Sequence, residues 1–269
     1  MSGMDLQLAG KRAVVTGGSR GIGNAIAWAL AREGCDIGLV ARGRETLGGA
    51  ARELHDSVGV RVVPLVADIG DREAVDNMVT GAMELLGGID ILVNCAARPA
   101  GGGGALPLAD ITDERFHEEM NTKALGYLRC ARAVAPHLQR AGWGRIISVS
   151  GLAARRTGDT IASMRNVAVV AMTRNLAEEL GPFGVNVTAV HPSTTYTERI
   201  PALVKAAAER QGISEDEATR RMLADNALRR VIHADDIAAL VTFLASPLSV
   251  AVNGDVIAAG GGVGQSIYY

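Results

Sequence analysis

The sequence predicts an α/β protein built around a doubly wound parallel sheet. Short apolar runs, typical of buried strands, alternate along the chain with longer stretches whose apolar residues recur at helical spacing. The first apolar run leads directly into a glycine-rich loop and then into a helical pattern, which is the arrangement of a βα unit. Regular alternation of this kind favours parallel strands joined by right-handed helical crossovers.

The amino-terminal half shows this alternation most clearly. The first strand is predicted at 12–16, and the helix after the loop runs through the apolar positions Ile22, Ile26 and Leu30. Asp71 is placed to cap a later helix, which the glycines at 87–88 close. The other predicted elements of this half are a strand at 36–41, a helix at 45–58, a strand at 61–67, a helix at 71–86 and a buried strand at 89–94.

The carboxyl-terminal half begins with a loop over 98–110 that holds four consecutive glycines. A long helix is predicted over 112–140, with Pro136 near its end, where a proline can kink or terminate a helix. Ser214 and Glu217 form the pattern of a capping box. The other predicted elements are a strand at 145–149, a helix at 161–180, a strand at 185–190, a helix at 197–211, a helix at 235–244 and a strand at 256–259.

The overall composition favours a single domain of the larger α/β type. The chain has 269 residues, of which 48% are hydrophobic, and no linker, repeat or shift in composition divides it. We therefore predict one domain over 1–269, with a substrate lid around 193–230.

Charge and cysteine content restrict the location and the partners. The net charge of −2 gives no reason to expect nucleic acid or a membrane as a partner. Cys35, Cys95 and Cys130 are scattered, and they form neither a metal-binding spacing nor a disulfide framework. Because neither a signal peptide nor a long apolar span is visible, a cytoplasmic protein is expected.

The loop after the first strand has the features of a phosphate-binding turn. Gly17, Gly21 and Gly23 are spaced G-x-x-x-G-x-G, which differs from the most common dinucleotide and P-loop spacings. Glycines tolerate positive φ angles and let the backbone approach a ligand closely. A helix that begins at such a loop directs free N–H groups and the positive end of its dipole toward an anion. The loop is a candidate dinucleotide site, although an ordinary strand-to-helix turn also uses glycines.

Sequence blocks beyond this loop form a wider pattern. They are 16–23 (TGGSRGIG), 67–68 (AD), 92–97 (LVNCAA), 144–150 (GRIISVS), 186–192 (NVTAVHP) and 253–257 (NGDVI). With these blocks at the expected spacing, nearly the whole chain resembles the classical short-chain dehydrogenase/reductase (SDR) family. The resemblance implies a Rossmann-type sheet of about seven strands with helices on both faces, and a ligand at the carboxyl edge of the strands.

The end of the second strand bears on the choice of cofactor. An NAD-preferring site places an acidic side chain there to hold the ribose 2′-hydroxyl. Here that position is Ala41, and Arg42 follows it. Arg20, in the glycine loop, can reach the same point. Two guanidinium groups without a carboxylate favour a 2′-phosphate, so NADP is the predicted cofactor and NAD the alternative.

The resemblance implies further contacts with the dinucleotide. Asp68 would hold the adenine amino group, with the Ile69 backbone beside it. Asn94 and Ala96 would line the route to the ribose, and 192–197 would pack against the nicotinamide and the diphosphate. The cofactor-binding residues that the resemblance implies are Gly17, Ser19, Arg20, Gly21, Ile22, Gly23, Arg42, Asp68, Ile69, Asn94, Ala96, Pro192, Ser193, Thr195 and Thr197; it implies no metal ligand.

The catalytic positions depart from the pattern of the family. The family uses a Tyr as proton donor, with a Lys four residues later on the same helix face that lowers its pKa. Alignment without gaps places Ala162 at the Tyr position and Asn166 at the Lys position. Sliding the alignment by one residue gives Ile161 and Arg165, so neither register supplies a tyrosine.

The family also uses a Ser beside the carbonyl oxygen and an Asn on the preceding long helix. Gly151 stands at the Ser position, directly after Ser150, and Lys123 stands at the Asn position. One interpretation is that Lys123 and Asn166 have exchanged the family's Asn and Lys, so that an ammonium still reaches the site from the other helix. The other is that both positions drifted after catalysis was lost, with Lys123 a snorkelling surface lysine.

Other residues could supply the proton. Tyr196, in the loop after the sixth strand, is the preferred phenol because that loop should lie near the nicotinamide. Tyr127 is a helix residue of the kind that more often serves in packing, and His191 is expected to hydrogen-bond locally. Tyr268 and Tyr269 end the chain and could reach a neighbouring subunit.

The sequence is therefore compatible with three functions. The first is an NADP(H)-dependent oxidoreductase acting on a small-molecule carbonyl/alcohol pair, in which Ser150 polarises the oxygen, Lys123 supplies positive charge and Asn166 orders water. The second is a catalytically silent dinucleotide-binding protein, either a sensor or the inactive partner in an oligomer. The third is a non-redox lyase on the same scaffold. The resemblance also implies a homodimer or homotetramer that pairs through the helices at 112–140 and 161–180.

Overall fold

The computed structural model describes residues 4–97, 106–223 and 226–263, which contain a seven-stranded sheet. The strands are β1 (Arg12–Thr16), β2 (Asp36–Ala41), β3 (Val62–Val66), β4 (Ile91–Asn94), β5 (Gly144–Val149), β6 (Val185–Pro192) and β7 (Val256–Ala259). Their order across the sheet is β3-β2-β1-β4-β5-β6-β7, and all neighbouring strands are parallel. The predicted doubly wound α/β fold is confirmed.

Helices cover both faces of this sheet. In chain order they are α1 (Gly21–Arg32), α2 (Arg44–Val58), α3 (Arg72–Leu86), α4 (Asp113–Glu119), α5 (Gly126–Ala141), α6 (Thr160–Leu180), α7 (Ile200–Gln211), α8 (Glu215–Leu223) and α9 (Ala234–Ala245). Along β1, Ala13 and Val15 join the core under α1, α2 and α9, whereas Val14 joins the core under α3, α5 and α6. Alternate side chains of each strand therefore feed two separate cores.

The long helix predicted over 112–140 contains a wider turn. A π-helical turn at Met120–Leu125 joins α4 to α5, and α5 continues through Pro136 to Ala141. Gly126 allows the helix to approach the sheet, because a methyl group on its Cα would lie 2.9 Å from Ile69 Cδ1. Pro136 does not terminate the helix, which ends instead at Gly142 in the left-handed region, with φ of +67°.

The predicted helix caps are present in whole or in part. Asp71 accepts a hydrogen bond from the Ala74 backbone N–H at 2.9 Å, and Gly87 closes α3 with φ of +79°. At the start of α8, Ser214 Oγ accepts from the Glu217 N–H at 3.2 Å. The Glu217 carboxylate instead pairs with Arg220 and accepts from Arg221 Nε at 2.7 Å, so the predicted capping box is replaced by a single cap and two ion pairs.

The predicted lid region has a small core of its own. Apolar residues of α7 and α8, among them Ile200, Val204 and Leu223, form a third cluster apart from the two cores of the sheet. Tyr196 packs at the edge of this cluster. Over the residues that the structure describes, no helix is both long enough and apolar enough to cross a membrane.

Candidate functional site

A cavity of about 550 Å³ opens at the carboxyl ends of the central strands. It lies where β1 and β4 are neighbours while the chain after β1 runs to β2 on the other side. Such a topological switch point is where doubly wound sheets bind their ligands. The cavity runs from the glycine loop at one end to Lys123 and Ser150 at the other.

The glycine loop is shaped by close backbone contacts. Gly17 and Gly21 have φ angles of +69° and +60°, which favour glycine over other residues. A methyl group on Gly23 would lie 2.3 Å from the Gly17 carbonyl oxygen, and one on Gly17 would lie 2.8 Å from Ala96 Cα. Only glycine therefore fits at positions 17 and 23 without a backbone shift.

The N-terminus of α1 faces this loop, and the helix itself contributes no anion to it. No side chain caps the helix at Arg20, and no acidic residue lies in its first turn. Its first N–H groups and the positive end of its dipole are thus available to an anion in the cavity. This backbone cradle fits the diphosphate of a dinucleotide.

The other side of the glycine loop holds three exposed charges. Arg20, Arg42 and Asp68 all line the cavity. Arg42 Nη1 lies 3.6 Å from Asp68 Oδ2, and Asp68 Oδ1 accepts from the Gly70 N–H at 2.8 Å. Arg42 is therefore directed over the cavity by a partner that is itself held by the backbone.

The segment after β4 is fixed by Thr16. Its Oγ1 accepts from the N–H groups of Cys95 and Ala96, at 3.0 and 3.2 Å. Ala96 lines the cavity, whereas Asn94 is fully buried and its Nδ2 lies 3.5 Å from Ser148 Oγ. Burial raises the pKa of Cys95 to about 12, so its thiol stays protonated and is a poor nucleophile.

Lys123 is the central charged group at the far end of the cavity. It lies in the π-helical turn, is only 5% exposed, and donates from Nζ to the Ser150 carbonyl oxygen at 2.8 Å. Burial lowers its pKa to about 8, against a smaller opposing effect from Cys95. The interpretation of Lys123 as a snorkelling surface lysine is therefore wrong.

Ser150 links Lys123 to Asn166. Its Oγ donates to the Asn166 backbone carbonyl at 3.2 Å, and Asn166 Oδ1 is buried without a hydrogen-bond partner in the described chain. Gly151 and Asn166 fit each other, because a methyl group on Gly151 would lie 3.0 Å from Asn166 Nδ2. A serine at 151 would crowd the amide at 166.

His191 forms the local hydrogen bond that the sequence predicts. Its Nδ1 accepts from the Gly151 N–H at 3.2 Å, and the ring is fully buried. Burial, followed by the positive charges of Arg155 and Lys123, lowers the pKa of His191 to about 4. The ring is therefore neutral near pH 7 and supports the backbone between β5 and α6.

Neither tyrosine in the described residues lines the cavity. Tyr196 has its ring centroid 5.0 Å from that of His233, and its backbone N–H donates to the Ile232 carbonyl. Tyr127 is buried beneath the site and donates from its hydroxyl to the Val149 carbonyl at 3.1 Å. Tyr268 and Tyr269 lie outside the described residues, as does the glycine run at 101–104.

The structure brings most of the predicted cofactor residues to one cavity. Thr195 does not line it, since it is buried and donates from Oγ1 to the Ser193 carbonyl at 3.0 Å. Asn94 does not line it either. Those that do are Gly17, Ser19, Arg20, Gly21, Ile22, Gly23, Arg42, Asp68, Ile69, Ala96, Pro192, Ser193 and Thr197. Of the predicted catalytic residues, Lys123 and Ser150 line the cavity, whereas Asn166 lies behind Ser150 and Tyr196 packs against the third cluster, in the predicted lid region.

Several residues that line the cavity were not predicted as site residues, among them Arg165 and Glu198. Arg165 lines the cavity and forms a largely buried ion pair with Glu119, the last residue of α4. Glu198 lines the cavity near the glycine loop. Of these residues, only Arg165 was indicated by the sequence, because it occupies the position of the family's Lys when the alignment is moved by one residue.

The sequence is similar to a family model of reductases and to several dehydrogenases and reductases over most of its length. The family model described as enoyl-(acyl carrier protein) reductase matches residues 17–264. The short-chain reductase protein NovJ of Streptomyces niveus is 35% identical over 251 residues, covering 93% of this chain and 92% of the relative. The probable galactose dehydrogenase GalD of Rhizobium meliloti is 31% identical and is covered to 93%.

Solved structures share the fold over nearly the whole chain. The L-sorbose reductase of Gluconobacter frateurii, complexed with NADPH and L-sorbose, superposes with a TM-score of 0.92 at 28% identity, covering 98% of this chain and 100% of that one. A short-chain dehydrogenase from Burkholderia cenocepacia in complex with NADP has a TM-score of 0.81 at 33% identity, covering 95% and 98%. A 7α-hydroxysteroid dehydrogenase complexed with NADH has a TM-score of 0.84 at 28% identity, covering 97% of each chain.

Proposed function

Because this chain belongs to the short-chain dehydrogenase/reductase family, we propose that it is an NADP(H)-dependent oxidoreductase that interconverts a small-molecule ketone or aldehyde with its alcohol. The observation that carries the proposal is the single cavity that joins a diphosphate cradle to a buried ammonium. A bound nicotinamide would supply or accept the hydride. The residues of this chain would bind the dinucleotide and handle the proton.

Two arginines support NADP over NAD. Arg20 and Arg42 line the cavity, and Ala41 ends β2 where an NAD-preferring site has an acid. Asp68 offsets part of the positive charge of Arg42 at 3.6 Å, yet both side chains are largely exposed, which weakens their ion pair. Arg42 thus retains the capacity to bind a 2′-phosphate, whose charge and geometry suit a guanidinium.

Lys123 is the proposed proton donor. An ammonium has three N–H groups, and the structure engages one of them with the Ser150 carbonyl. With a pKa of about 8, Lys123 is mostly protonated at neutral pH and close to the value that suits an acid–base catalyst there. It would donate a proton from Nζ to the oxygen of a carbonyl during reduction and take it back during alcohol oxidation.

Ser150 and Asn166 would support this proton transfer. Ser150 fixes Lys123 through its carbonyl, and its hydroxyl, which lies at the same end of the cavity, would have to turn from the Asn166 carbonyl to donate to a substrate oxygen. The buried Asn166 Oδ1 could accept from an ordered water, as buried unsatisfied oxygens commonly do. Tyr196 would serve as donor in place of Lys123 only if the lid moved it away from His233.

Binding and turnover can be tested separately. NADPH and NADH are titrated by fluorescence, and the saturated protein is then mixed with a panel of ketones and aldehydes while oxidation of the reduced cofactor is followed. We expect tighter binding of NADPH and hydride transfer to at least one class of carbonyl. Tight NADPH binding without transfer to any member of a panel spanning sugars, steroids, acids and simple ketones would overturn the oxidoreductase and favour the silent dinucleotide-binding protein.

We also propose that copies of the chain associate through α5 and α6. Leu128 on α5 and Met164 and Val167 on α6 are exposed apolar residues, with Val167 49% exposed. Leu180, at the end of α6, is buried in the core of the subunit and is not part of this exposed face. Light scattering after gel filtration should give a dimer or tetramer that Val167→Lys weakens; a wild-type monomer would contradict the association.

A further inference from the structure

Glu198 places a carboxylate beside the glycine loop. Its Oε1 lies 4.0 Å from the position of a methyl group built on Gly21, the first residue of α1, and Thr197 Cγ2 lies 3.7 Å from the same point. Glu198 also lines the cavity together with Arg20 and Ile22. A negatively charged side chain is thus present at the end of the cavity that suits a diphosphate.

The surroundings of Glu198 explain why the carboxylate can lie there. The N-terminus of α1 has no side-chain cap and no acid in its first turn, so its positive end is not neutralised locally. Within the described part of the chain, no hydrogen bond or ion pair engages the Glu198 carboxylate with another residue. The carboxylate is exposed to solvent, and the positive end of α1 is the charged feature of the glycine loop that it lies beside.

The position of Glu198 also couples it to the lid. It lies in the turn that opens α7, in which the Ile200 N–H donates to the Thr197 carbonyl at 3.0 Å. Because Glu198 is inside this hydrogen-bonded turn, moving its backbone would disturb the first turn of α7. An anion that repels Glu198 would therefore act on the lid as well as on the side chain.

We propose that Glu198 is an internal competitor of the dinucleotide: its carboxylate occupies the field of the α1 N-terminus in the free protein and must move when the diphosphate binds. The inference rests on the proposed function, because it takes the ligand to be a nicotinamide dinucleotide. Its consequence is that Glu198 weakens cofactor binding and favours cofactor release, while helping to hold the start of the lid in the free protein.

Charge removal tests this competition. Glu198→Gln keeps the size of the side chain and should bind NADPH about three- to tenfold more tightly than wild type in low salt, because a like charge is removed. The ratio of the two dissociation constants should shrink toward one as salt is added. Glu209→Gln, on the exposed face of α7, is the matched control and should bind as wild type does.

Binding of 2′-AMP and of ADP tests whether the charge of Glu198 acts on the diphosphate. Wild type and Glu198→Gln should bind 2′-AMP equally, since it has no diphosphate, whereas ADP should follow NADPH. Tighter binding of 2′-AMP by the variant would overturn a local effect in favour of general electrostatics. A loss of NADPH affinity in Glu198→Gln would show that Glu198 assists binding and would overturn the competition.

Amide exchange tests the link to the lid. In the free protein, the first turn of α7 should exchange faster in Glu198→Gln than in wild type, and NADPH should remove this difference. Equal exchange in the free forms would overturn the coupling. If wild type binds no dinucleotide at all, the proposed function fails; if both forms bind NADPH equally, only the role of Glu198 fails.

Discussion

The two ends of the cavity are built from different materials. The proposed diphosphate end consists of backbone: glycines that nothing larger could replace at 17 and 23, and the uncapped N-terminus of α1. The proposed catalytic end consists of buried side chains, with Lys123 held by Ser150, and the cavity also holds Arg165 in a largely buried ion pair with Glu119. A backbone site is a property of the fold, whereas a site of buried charges can change its residues while the fold stays the same.

The difference predicts opposite relations between function and stability. Glycines at the diphosphate end serve the fold and the ligand together, so their loss should harm both. A buried lysine with a lowered pKa serves chemistry at the expense of stability, because burial disfavours its charge. Substitutions of the glycines should therefore lower both ligand binding and stability, whereas substitution of Lys123 should lower activity without lowering stability.

Gly23→Ala should give the largest effect, at the backbone end. The methyl group would lie 2.3 Å from the Gly17 carbonyl oxygen, so the loop must shift. We expect NADPH affinity to fall by about 100-fold or more and the free energy of unfolding to fall by about 1–3 kcal/mol. Titration and urea unfolding provide the two readouts.

Gly48→Ala is the control for this change. Gly48 lies inside α2 with no atom within 4 Å of a methyl group on its Cα. Alanine there should raise stability by about 0.5–1 kcal/mol and leave NADPH binding unchanged. Normal binding by Gly23→Ala would contradict a backbone diphosphate site.

Lys123→Met should separate activity from stability at the other end. Without the ammonium, the rate of hydride transfer should fall by about 100-fold or more, while NADPH still binds. The free energy of unfolding should stay the same or rise by up to about 2 kcal/mol, since an apolar side chain replaces a buried charge but leaves the Ser150 carbonyl without its donor.

Lys205→Met, at an exposed position of α7, is the matched control and should change neither quantity. Turnover at the wild-type rate in Lys123→Met would contradict a catalytic role, and marked destabilisation would contradict the expectation that the buried charge costs stability. If Tyr196→Phe rather than Lys123→Met abolished turnover, the proton donor would be the lid tyrosine.

Arg42→Ala should have a smaller and more selective effect. Loss of a charge-assisted contact with the 2′-phosphate should weaken NADPH binding by about tenfold and leave NADH binding within about twofold. Arg44→Ala, two residues further on in the first turn of α2 and outside the cavity lining, serves as control. An unchanged preference in Arg42→Ala would refute the assignment of NADP.

The two ends also differ in how far the sequence predicts them. The strand bounds and the glycine loop follow from local patterns, since apolar runs mark strands and only glycine fits at 17 and 23. The burial of Lys123 has no local signal. It depends on the π-helical turn and on the close approach of Gly126 to Ile69, which set how the helix meets the sheet.

The predicted lid region also contains contacts that no local sequence pattern predicts. The sequence predicts that Tyr196, in the loop after β6, lies near the nicotinamide. Its ring instead contacts His233, a residue 37 positions later in the chain. Glu198 and the Arg165–Glu119 pair likewise depend on segments that are distant in sequence. Spacing rules cannot find such pairs, because the partners share no helix or strand.

If Lys123 carries the proton in this cavity, the rate of single-turnover hydride transfer should depend on the protonation of its amine. With a carbonyl from the panel, the wild-type reduction rate should fall as the pH rises through about 8, because the neutral amine has no proton to give. The rate of alcohol oxidation should rise over the same pH range. In Lys123→Met, both reactions should be slow, and neither rate should change as the pH passes 8. If Lys123→Met instead showed the same pH dependence and the same rates as wild type, Lys123 would not be the proton donor.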